Sequence, residues 1–387
     1  MTIEPLDDPV AQWLDWEAQA NLIGFRTSTR PVEVEVASVP RSEVELYELP
    51  GAPPEIVRRF LRGDRVLVAR HPLNRDPTVA WFDAPVAERW SARFTSSRTL
   101  AMPGPESGDA LFSLKLATDR PHPDFHQPEK TRLREEALDA VAWAATLDRI
   151  DRRLAPLACA WLVREVLVVL AAGGESGFMV RDLRAFQDGH YYLPALSIPW
   201  VGRQIASRHA EPFEGFWGRH YAAAVGRGKA ELLARYGLWF ETPNPQNAVV
   251  QLDRELRPTG RVLFRDLGDG DCATDALQAP GPPWTRLASD IRPETRTSFW
   301  AFDEAGDHSV EAQVLAGWHR LHDDAYFGEL ARWFPPVAPR LGLDPDKRLD
   351  HWNRALRSDA GLAAVVARFA DEERRAAVRA GSGVHRG

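Results

Sequence analysis

Cysteine is scarce in this sequence, and the two that occur lie far apart. Cys159 and Cys272 are the only cysteines among 387 residues, and they form no CxxC pair. A disulfide framework or a thiolate metal site needs more cysteines at short spacing, so both are excluded. This usage is typical of a reducing compartment, and we expect a cytoplasmic protein.

Long hydrophobic runs and a surplus of basic residues are also missing. The longest apolar stretch, near Val166 to Ala172, is too short to cross a bilayer. The acidic start MTIEPLDDPV lacks the features of a signal peptide, so we expect no membrane partner. The formal net charge is −7. Because neutralising phosphates requires a basic surplus, we also expect no nucleic-acid partner.

Lysine is rare, since only four lysines occur and arginine supplies the other basic side chains. One of the four, Lys115, stands between Leu114 and Leu116 in a short apolar run. Successive side chains of a β-strand point to opposite faces, so Lys115 points away from these leucines. It faces either solvent or a cleft, and the pattern leaves both open.

Short apolar runs and helical periodicities alternate irregularly along the chain, which predicts an α+β fold. The length leaves room for two or three subdomains. The predicted helices cover about Pro9 to Ile23, Pro54 to Leu61, Pro85 to Trp90, Glu129 to Leu154, Phe213 to Tyr236 and much of 308–380. The predicted strands cover parts of 31–50, 66–69, 94–100, 111–117 and 177–182, and residues 160–170 fit either a strand or a buried helix.

The stretch from Tyr236 to Asp271 places two polar clusters at the ends of a predicted hairpin. Its strands cover 248–252 and 262–264, with a turn around 258–260. Gln246 and Asn247 precede the hairpin, and Asp266 follows it in the sequence RDLGDG. Kinase-like folds use an amide, a hairpin and an Asp–x–Gly turn to hold a metal ion and nucleotide phosphates.

Each polar motif also has a structural interpretation. Ser96, Ser97, Arg98 and Thr99 combine hydroxyls with a guanidinium, as phosphate-binding loops do, but they also fit a polar strand end. Gln246 and Asn247 fit a turn that hydrogen-bonds its own backbone, and Asp266 fits a cap of the following turn.

The order of these motifs resembles that of the NRPS-independent siderophore synthetases, the family of IucA and IucC type aerobactin synthetases. That family has a run like HPWQ, then S-x-R-T, K-L on the next strand, Arg at a later strand end, a segment YGIAxEAHxQN and an RD pair before a glycine turn. This chain has His71-Pro72, Ser96 to Thr99, Lys115-Leu116, Arg181, Tyr236-Gly237 through Gln246-Asn247, and Arg265-Asp266.

The chain also departs from the family pattern, and the resemblance covers roughly residues 65–275. The N-terminal GHPxHPxxK motif is missing. The family's EAHxQN histidine aligns with Asn244 and its glutamate with Thr242, although Glu241 is adjacent. The arginine expected about a dozen residues after the lysine has only Lys130, Arg132 and Arg134 as substitutes. These losses concern substrate handling and the chemical step.

The resemblance implies a hand-like architecture with a kinase-like palm of antiparallel sheet and helices, followed by a helical C-terminal region. The implied divisions are an N-terminal helix and strand cap (1–62), a fingers-like nucleotide-binding sheet region (63–155), the palm (156–300), the C-terminal helical region (301–380) and a disordered tail (381–387). A homodimer is compatible with the family.

The resemblance further implies an enzyme of siderophore-like biosynthesis that adenylates a carboxylic acid, citrate or another polycarboxylate, with ATP and Mg²⁺ and passes the acyl group to an amine or hydroxyl. The implied nucleotide-binding residues are Ser96, Ser97, Arg98, Thr99, Lys115, Arg181, Gln246, Asn247 and Asp266. Lys115, Arg181, Asn244 and Gln246 would act in catalysis, and Asn247 and Asp266 would hold Mg²⁺ through hard oxygen ligands.

Three alternatives remain open at this point. A degenerate relative would bind a nucleotide or a metabolite without ligation, which the aligned Asn244 and the missing N-terminal motif suggest. A kinase-like phosphotransferase would release ADP rather than AMP. A structural or interaction protein would need neither Lys115 nor Asp266 for ligand binding. The sequence identifies neither the acid nor the nucleophile.

Overall fold

The computed structural model describes residues 5–21, 31–74, 79–102, 110–119, 132–151, 157–236, 238–240, 244–266, 270–272 and 298–333. Its α-helices are α1 (Pro9–Asn21), α2 (Pro54–Phe60), α3 (Arg134–Asp151), α4 (Ile198–Arg208), α5 (Phe213–Trp217), α6 (Ala223–Tyr236) and α7 (Ala312–Trp333). Proline occupies the first position of α1 and of α2, where its missing N–H costs nothing and its fixed φ suits the helix.

The largest element is an antiparallel sheet of nine strands. Its strands, in the spatial order β2-β9-β10-β7-β6-β5-β1-β4-β3, are β1 (Val32–Pro40), β2 (Val44–Glu48), β3 (Leu61–Arg62), β4 (Arg65–Ala69), β5 (Val86–Phe94), β6 (Thr99–Met102), β7 (Phe112–Leu116), β9 (Glu165–Ala171) and β10 (Gly177–Asp182). Phe60, Leu114 and Phe178 are fully buried in the core of this sheet.

A second sheet has four strands in the order β11-β13-β14-β8. These are β8 (Ala160–Leu162), β11 (Tyr191–Pro194), β13 (Ala248–Leu252) and β14 (Pro258–Phe264). The pair β14 and β8 is parallel. The two short strands β12 (Leu238–Phe240) and β15 (Gly270–Cys272) pair with each other.

Helices α4 to α7 share one buried core with the four-stranded sheet, which includes Trp217, Tyr221, Phe264 and Trp318. A π-helical turn, Gly218–Ala222, joins α5 to α6. At Gly226 of α6 an added Cβ would lie 2.2 Å from the carbonyl oxygen of His322 on α7. Glycine at this position therefore permits the close contact between α6 and α7.

The mixed sheets and helices confirm the predicted α+β class, and residues 160–170 form strands. The hand-like arrangement with a kinase-like palm and the division into subdomains stay predictions. The nine-stranded sheet contains strands from before and after each of the predicted boundaries at residues 62 and 155. The segments 273–297 and 334–387, including most of the predicted helical region and the tail, lie outside the described residues.

Three local predictions were wrong. Residues Thr95 to Arg98 form a loop between β5 and β6 rather than part of one strand over 94–100. Residues Val86–Phe94 form strand β5 rather than a helix, because pairing with β1 across the sheet overrides the helix-forming Ala-Glu-Arg sequence. The hairpin turn lies at 253–257, where Asp253 Oδ1 accepts hydrogen bonds from the backbone N–H groups of Glu255 and Arg257. Pro258 to Gly260 already belong to β14.

No helix in the described part of the chain is both long and apolar enough to cross a membrane.

Candidate functional site

A cavity of about 240 Å³ lies where the nine-stranded sheet meets the turn before β13 and the end of β14. All ten site residues predicted from the sequence line it. Its lining consists of Trp13, Thr95, Ser96, Ser97, Arg98, Thr99, Ser113, Lys115, Arg181, Leu183, Asn244, Gln246, Asn247, Arg265 and Asp266. The structure therefore brings together segments that are distant in the sequence, because Trp13 and Asp266 share one cavity.

Lys115 lies at the centre of a cluster of charges in this cavity. It is buried on β7, and its Nζ donates hydrogen bonds to Glu136 of α3 and to Asp266 after β14. Glu136 also accepts a hydrogen bond from Arg98 Nη2 at 2.9 Å. Of the two orientations that the sequence left open, Lys115 thus takes the one toward a cleft.

Arg181 extends the cluster on the neighbouring strand. Its Nε and Nη2 donate to Glu165 Oε1 on β9, at 3.0 and 2.8 Å, and Nη2 lies 3.3 Å from Asp266 Oδ1. The cations Arg98, Lys115 and Arg181 are thus matched by the carboxylates Glu136, Glu165 and Asp266. The central charges of the cavity balance before any ligand binds.

These contacts set the protonation states of the cluster. Burial alone would raise the pKa of Asp266, but Lys115 and Arg181 outweigh burial and hold the pKa well below its usual range. The pKa of Glu136 is lowered in the same way, by Lys115 and Arg98 against burial. Burial would lower the pKa of Arg181, whereas Glu165 and Asp266 raise it. All these groups are therefore charged at neutral pH.

The backbone of Asp266 is in the left-handed region, with φ of +74°. This conformation is uncommon for residues other than glycine, although aspartate tolerates it better than most. Such strain persists only where the surroundings fix it, and it is concentrated at functional sites. Here Lys115 and Arg181 hold the side chain of Asp266, whose carboxylate lines the cavity just after the end of β14.

The loop from Thr95 to Arg98 closes the hairpin of β5 and β6, and Thr99 is the first residue of β6. Ser96 Oγ accepts a hydrogen bond from the backbone N–H of Thr99 at 3.1 Å, and Thr99 O accepts from the backbone N–H of Ser96 at 3.2 Å. Buried His71 supports the loop from behind, with Nε2 at 3.0 Å from Ser97 O. Burial lowers the pKa of His71 to about 4. His71 is therefore neutral and donates its Nε2–H to Ser97 O.

The turn before β13 uses the side chain of Asn244. Its Oδ1 accepts hydrogen bonds from the backbone N–H groups of Gln246 at 3.0 Å and Asn247 at 3.1 Å. The structural interpretation of this turn is therefore correct, and the turn also lines the cavity. Asn244 supports the turn through its carbonyl oxygen, a bond pattern that fits an Asx turn.

Several residues of the site were not predicted. Glu136, Glu165 and Glu17 are the carboxylate partners of the cavity arginines and Lys115. The sequence alone does not distinguish these three glutamates from the many other acids, because only the structure shows which acid contacts which cation. Of the substitutes for the missing family arginine, Arg134 binds Glu45 instead and Arg132 is exposed. Lys130 lies outside the described residues.

The predicted magnesium ligands Asn247 and Asp266 both line the cavity. Among the described residues, no group of three or more histidine, cysteine or acidic side chains is arranged to hold a metal ion by itself. Mg²⁺ commonly takes only one or two protein ligands and completes its shell with phosphate oxygens and water. The oxygen donors of Asp266 and Asn247 fit such an ion.

Comparison with solved structures finds chains of similar fold. Aerobactin synthetase IucC from a hypervirulent pathotype of Klebsiella pneumoniae matches with a TM-score of 0.50 and 15% identity, over 81% of this chain and 65% of that one. ATP-bound IucA from the same pathotype gives 0.49 and 13%, over 82% and 64%. Petrobactin biosynthesis protein AsbB from Bacillus anthracis gives 0.49 and 11%, over 81% and 63%.

No protein-family model and no curated protein sequence matches the chain. The chain spans about two thirds of the length of the IucC chain, at 65%. The resemblance found in the sequence is confirmed at the level of the fold: the chain has the fold of the NRPS-independent siderophore synthetases.

Proposed function

We propose that this protein is an ATP-dependent ligase of siderophore-like biosynthesis, which activates a carboxylic acid by adenylation and condenses it with an amine or hydroxyl. The observation that carries the proposal is the convergence of all ten predicted residues on one cavity. The fold shared with IucC supports it. In this reaction a carboxylate oxygen attacks the α-phosphorus of ATP and pyrophosphate leaves. The amine or hydroxyl then attacks the acyl carbon, and AMP leaves.

Bringing a carboxylate to a triphosphate requires cations, because the two anions repel each other. Arg98, Lys115 and Arg181 supply three positive charges from neighbouring loops and strands of the same sheet. The hydroxyl of Ser96 accepts from a backbone N–H and keeps its own proton to donate to a phosphate oxygen. Gln246 also lines the cavity and adds an amide side chain.

The charge balance of the cavity explains why a magnesium ion would accompany the nucleotide. Arg98, Lys115 and Arg181 already have carboxylate partners, so a triphosphate alone would bring an uncompensated negative charge. Mg²⁺ held by Asp266 and Asn247 would supply part of the missing positive charge. It would also polarise the phosphate oxygens, which is the chemistry that such an ion contributes.

A kinase-like phosphotransferase is the second candidate. The pair of Lys115 on a strand and Glu136 on a helix, with Asp266 after a hairpin, has the same residue types as the lysine, helix glutamate and metal-binding aspartate of protein kinases. This candidate transfers the γ-phosphoryl group, so its product is ADP.

The products formed from ATP separate the two candidates. We would incubate the protein with ATP, Mg²⁺, a panel of di- and tricarboxylates and hydroxylamine as a surrogate nucleophile, and separate the nucleotides by chromatography. The proposal predicts AMP and pyrophosphate that depend on the acid and are lost in Lys115→Ala. Arg89→Ala, which removes an exposed cation of β5, serves as the matched control and should keep activity.

Each other product pattern contradicts the proposal. ADP formation would establish the phosphotransferase. Unchanged ATP across the panel, with measurable ATP binding, would establish a nucleotide-binding relative without ligase activity.

A further inference from the structure

Helix α1 reaches the cavity from the N-terminal part of the chain. Trp13 is fully buried and lines the cavity. The segment before the helix is bonded to β11 of the four-stranded sheet, and the helix itself is bonded to the 3-10 helix Ala195–Ser197 that follows β11. Tyr191 OH donates a hydrogen bond to Leu6 O at 2.8 Å, and Ser197 Oγ donates to Trp16 O at 2.8 Å. Helix α1 is thus an integral wall of the site.

Glu17 is the buried acid of this helix, with 1% of its surface exposed. Its Oε1 accepts hydrogen bonds from Trp13 Nε1 at 2.9 Å and from Arg265 Nη1 at 2.5 Å, and its Oε2 accepts from Arg265 Nη2 at 3.1 Å. Both oxygens of Glu17 are therefore used. A two-point carboxylate–guanidinium pair fixes the orientation of the arginine as well as its distance.

Arg265 connects Glu17 to the turn before β13. Its Nε donates to Gln246 O at 2.8 Å, its Nη2 donates to the same oxygen, and its backbone N–H donates to Asn247 O at 3.0 Å. The guanidinium is thus committed to Glu17 and to a backbone carbonyl. Arg265 differs in this from Lys115, whose Nζ donates to the acidic side chains of Glu136 and Asp266.

We propose that Glu17 is a positioning residue of the site, which acts through Arg265 on Gln246, Asn247 and Asp266. Without Glu17 the buried guanidinium of Arg265 loses its counter-charge. Arg265 then also loses the carboxylate that holds it in position to donate to the Gln246 carbonyl. The turn and the strained residue that follows Arg265 then lose a common support. This inference rests on the proposed function, because its consequence is a change in nucleotide binding.

A double-mutant cycle on the affinity for ATP with Mg²⁺ tests the inference. The variants are Glu17→Gln, Arg265→Met and the double variant, and binding is followed by calorimetry on the full chain. Asp15→Asn is the matched control, because it also removes one acid from this helix. The side chain of Asp15 accepts a hydrogen bond from Gln19 rather than from Arg265. We expect each single variant to weaken binding about tenfold, or about 1.4 kcal/mol.

The double variant should bind no more weakly than Arg265→Met alone, since Glu17 acts through that arginine. Independent losses that multiply in the double variant would show that α1 has only a general structural role and would overturn the inference. Wild-type affinity in folded Glu17→Gln would also overturn it. If Glu17→Gln does not fold, Glu17→Asp replaces it, because it keeps the charge but withdraws the carboxylate from Arg265; unchanged binding would again overturn the inference.

Failure of the proposed function gives a different result. In that case wild-type protein binds no ATP with Mg²⁺, and the inference falls with it. Wild-type binding together with an unaffected Glu17→Gln variant rejects only the inference.

Discussion

Replacing His71 by glutamine should make the protein less sensitive to mild acid. His71 is 2% exposed, and burial lowers its pKa from 6.5 to about 4 in the folded state. The unfolded chain therefore takes up a proton on this residue below pH 6.5, whereas the folded protein does so only near pH 4. Because the unfolded state binds more protons in this window, the free energy of unfolding falls as the pH drops through it.

The size of the effect follows from the two pKa values. Each pH unit between them is worth about 1.4 kcal/mol, so His71 accounts for a loss of about 3 kcal/mol between pH 6.5 and 4, and for about 2 kcal/mol at pH 5. Glutamine does not titrate, and its side-chain N–H can still donate to Ser97 O. The variant should thus lose about 2 kcal/mol less than the wild type between pH 7.5 and pH 5.

Urea denaturation followed by tryptophan fluorescence at pH 7.5, 6.5, 5.5 and 5.0 measures this difference. Other buried groups such as His322 are present in both proteins, so their titration cancels in the comparison. His308→Gln, at an exposed position, is the matched control and should follow the wild type. An equal loss of stability in wild type and His71→Gln would refute the assignment of a neutral, buried His71.

Three further variants probe the charge cluster. Lys115→Met keeps much of the side-chain volume but leaves Glu136 and Asp266 without their shared cation. We expect at least a tenfold loss of ATP affinity by calorimetry. Undiminished affinity would contradict the role assigned to Lys115. Glu136→Gln should lower the free energy of unfolding by about 3 kcal/mol in urea, because it removes the acid partner of Arg98 and one of the two acid partners of buried Lys115. Exposed Glu135→Gln is the control and should not lower it, and equal losses in the two variants would refute the argument. Asp266→Asn should make the loss of stability below about pH 4 less steep. The lowered pKa of Asp266 stabilises the folded state above the unfolded pKa of 3.8, and this contribution disappears as the pH falls. An unchanged dependence of stability on pH below 4 would exclude this contribution.

The sequence predicted which polar residues gather, but not what neutralises them. Lys115, Arg181 and Asp266 stand out because each follows or interrupts a short apolar run that ends at a polar cluster. Glu136 and Glu17 lie among the polar positions of helices, where acids are common. Their role depends on the distance between a helix and a strand, which no local pattern contains.

Strand β5 shows the same limit for the fold. Its first half reads as a helix by composition, and only its partner β1, some 50 residues earlier, makes it a strand. Helix α2 is different, because proline at its start and Gly63 shortly after its end mark both boundaries locally. Proline and glycine mark the ends of this helix locally, whereas pairing between distant segments decides the ambiguous runs.

The two residues between β8 and β9, Val163 and Arg164, join the two sheets. The backbone N–H of Val163 donates to Phe264 O at 2.8 Å, two residues before Asp266, and Arg164 O accepts from the N–H of Asp182 at 2.9 Å, one residue after Arg181. The link is thus bonded to β14, which leads to Asp266, and to β10, which carries Arg181. Side chains alternate between the two faces along a strand. One residue inserted into this link would therefore keep the hydrogen bonds within each sheet but would reverse the faces of one sheet relative to the other. The length of this two-residue link therefore fixes how Asp266 is placed relative to Arg181 and Lys115.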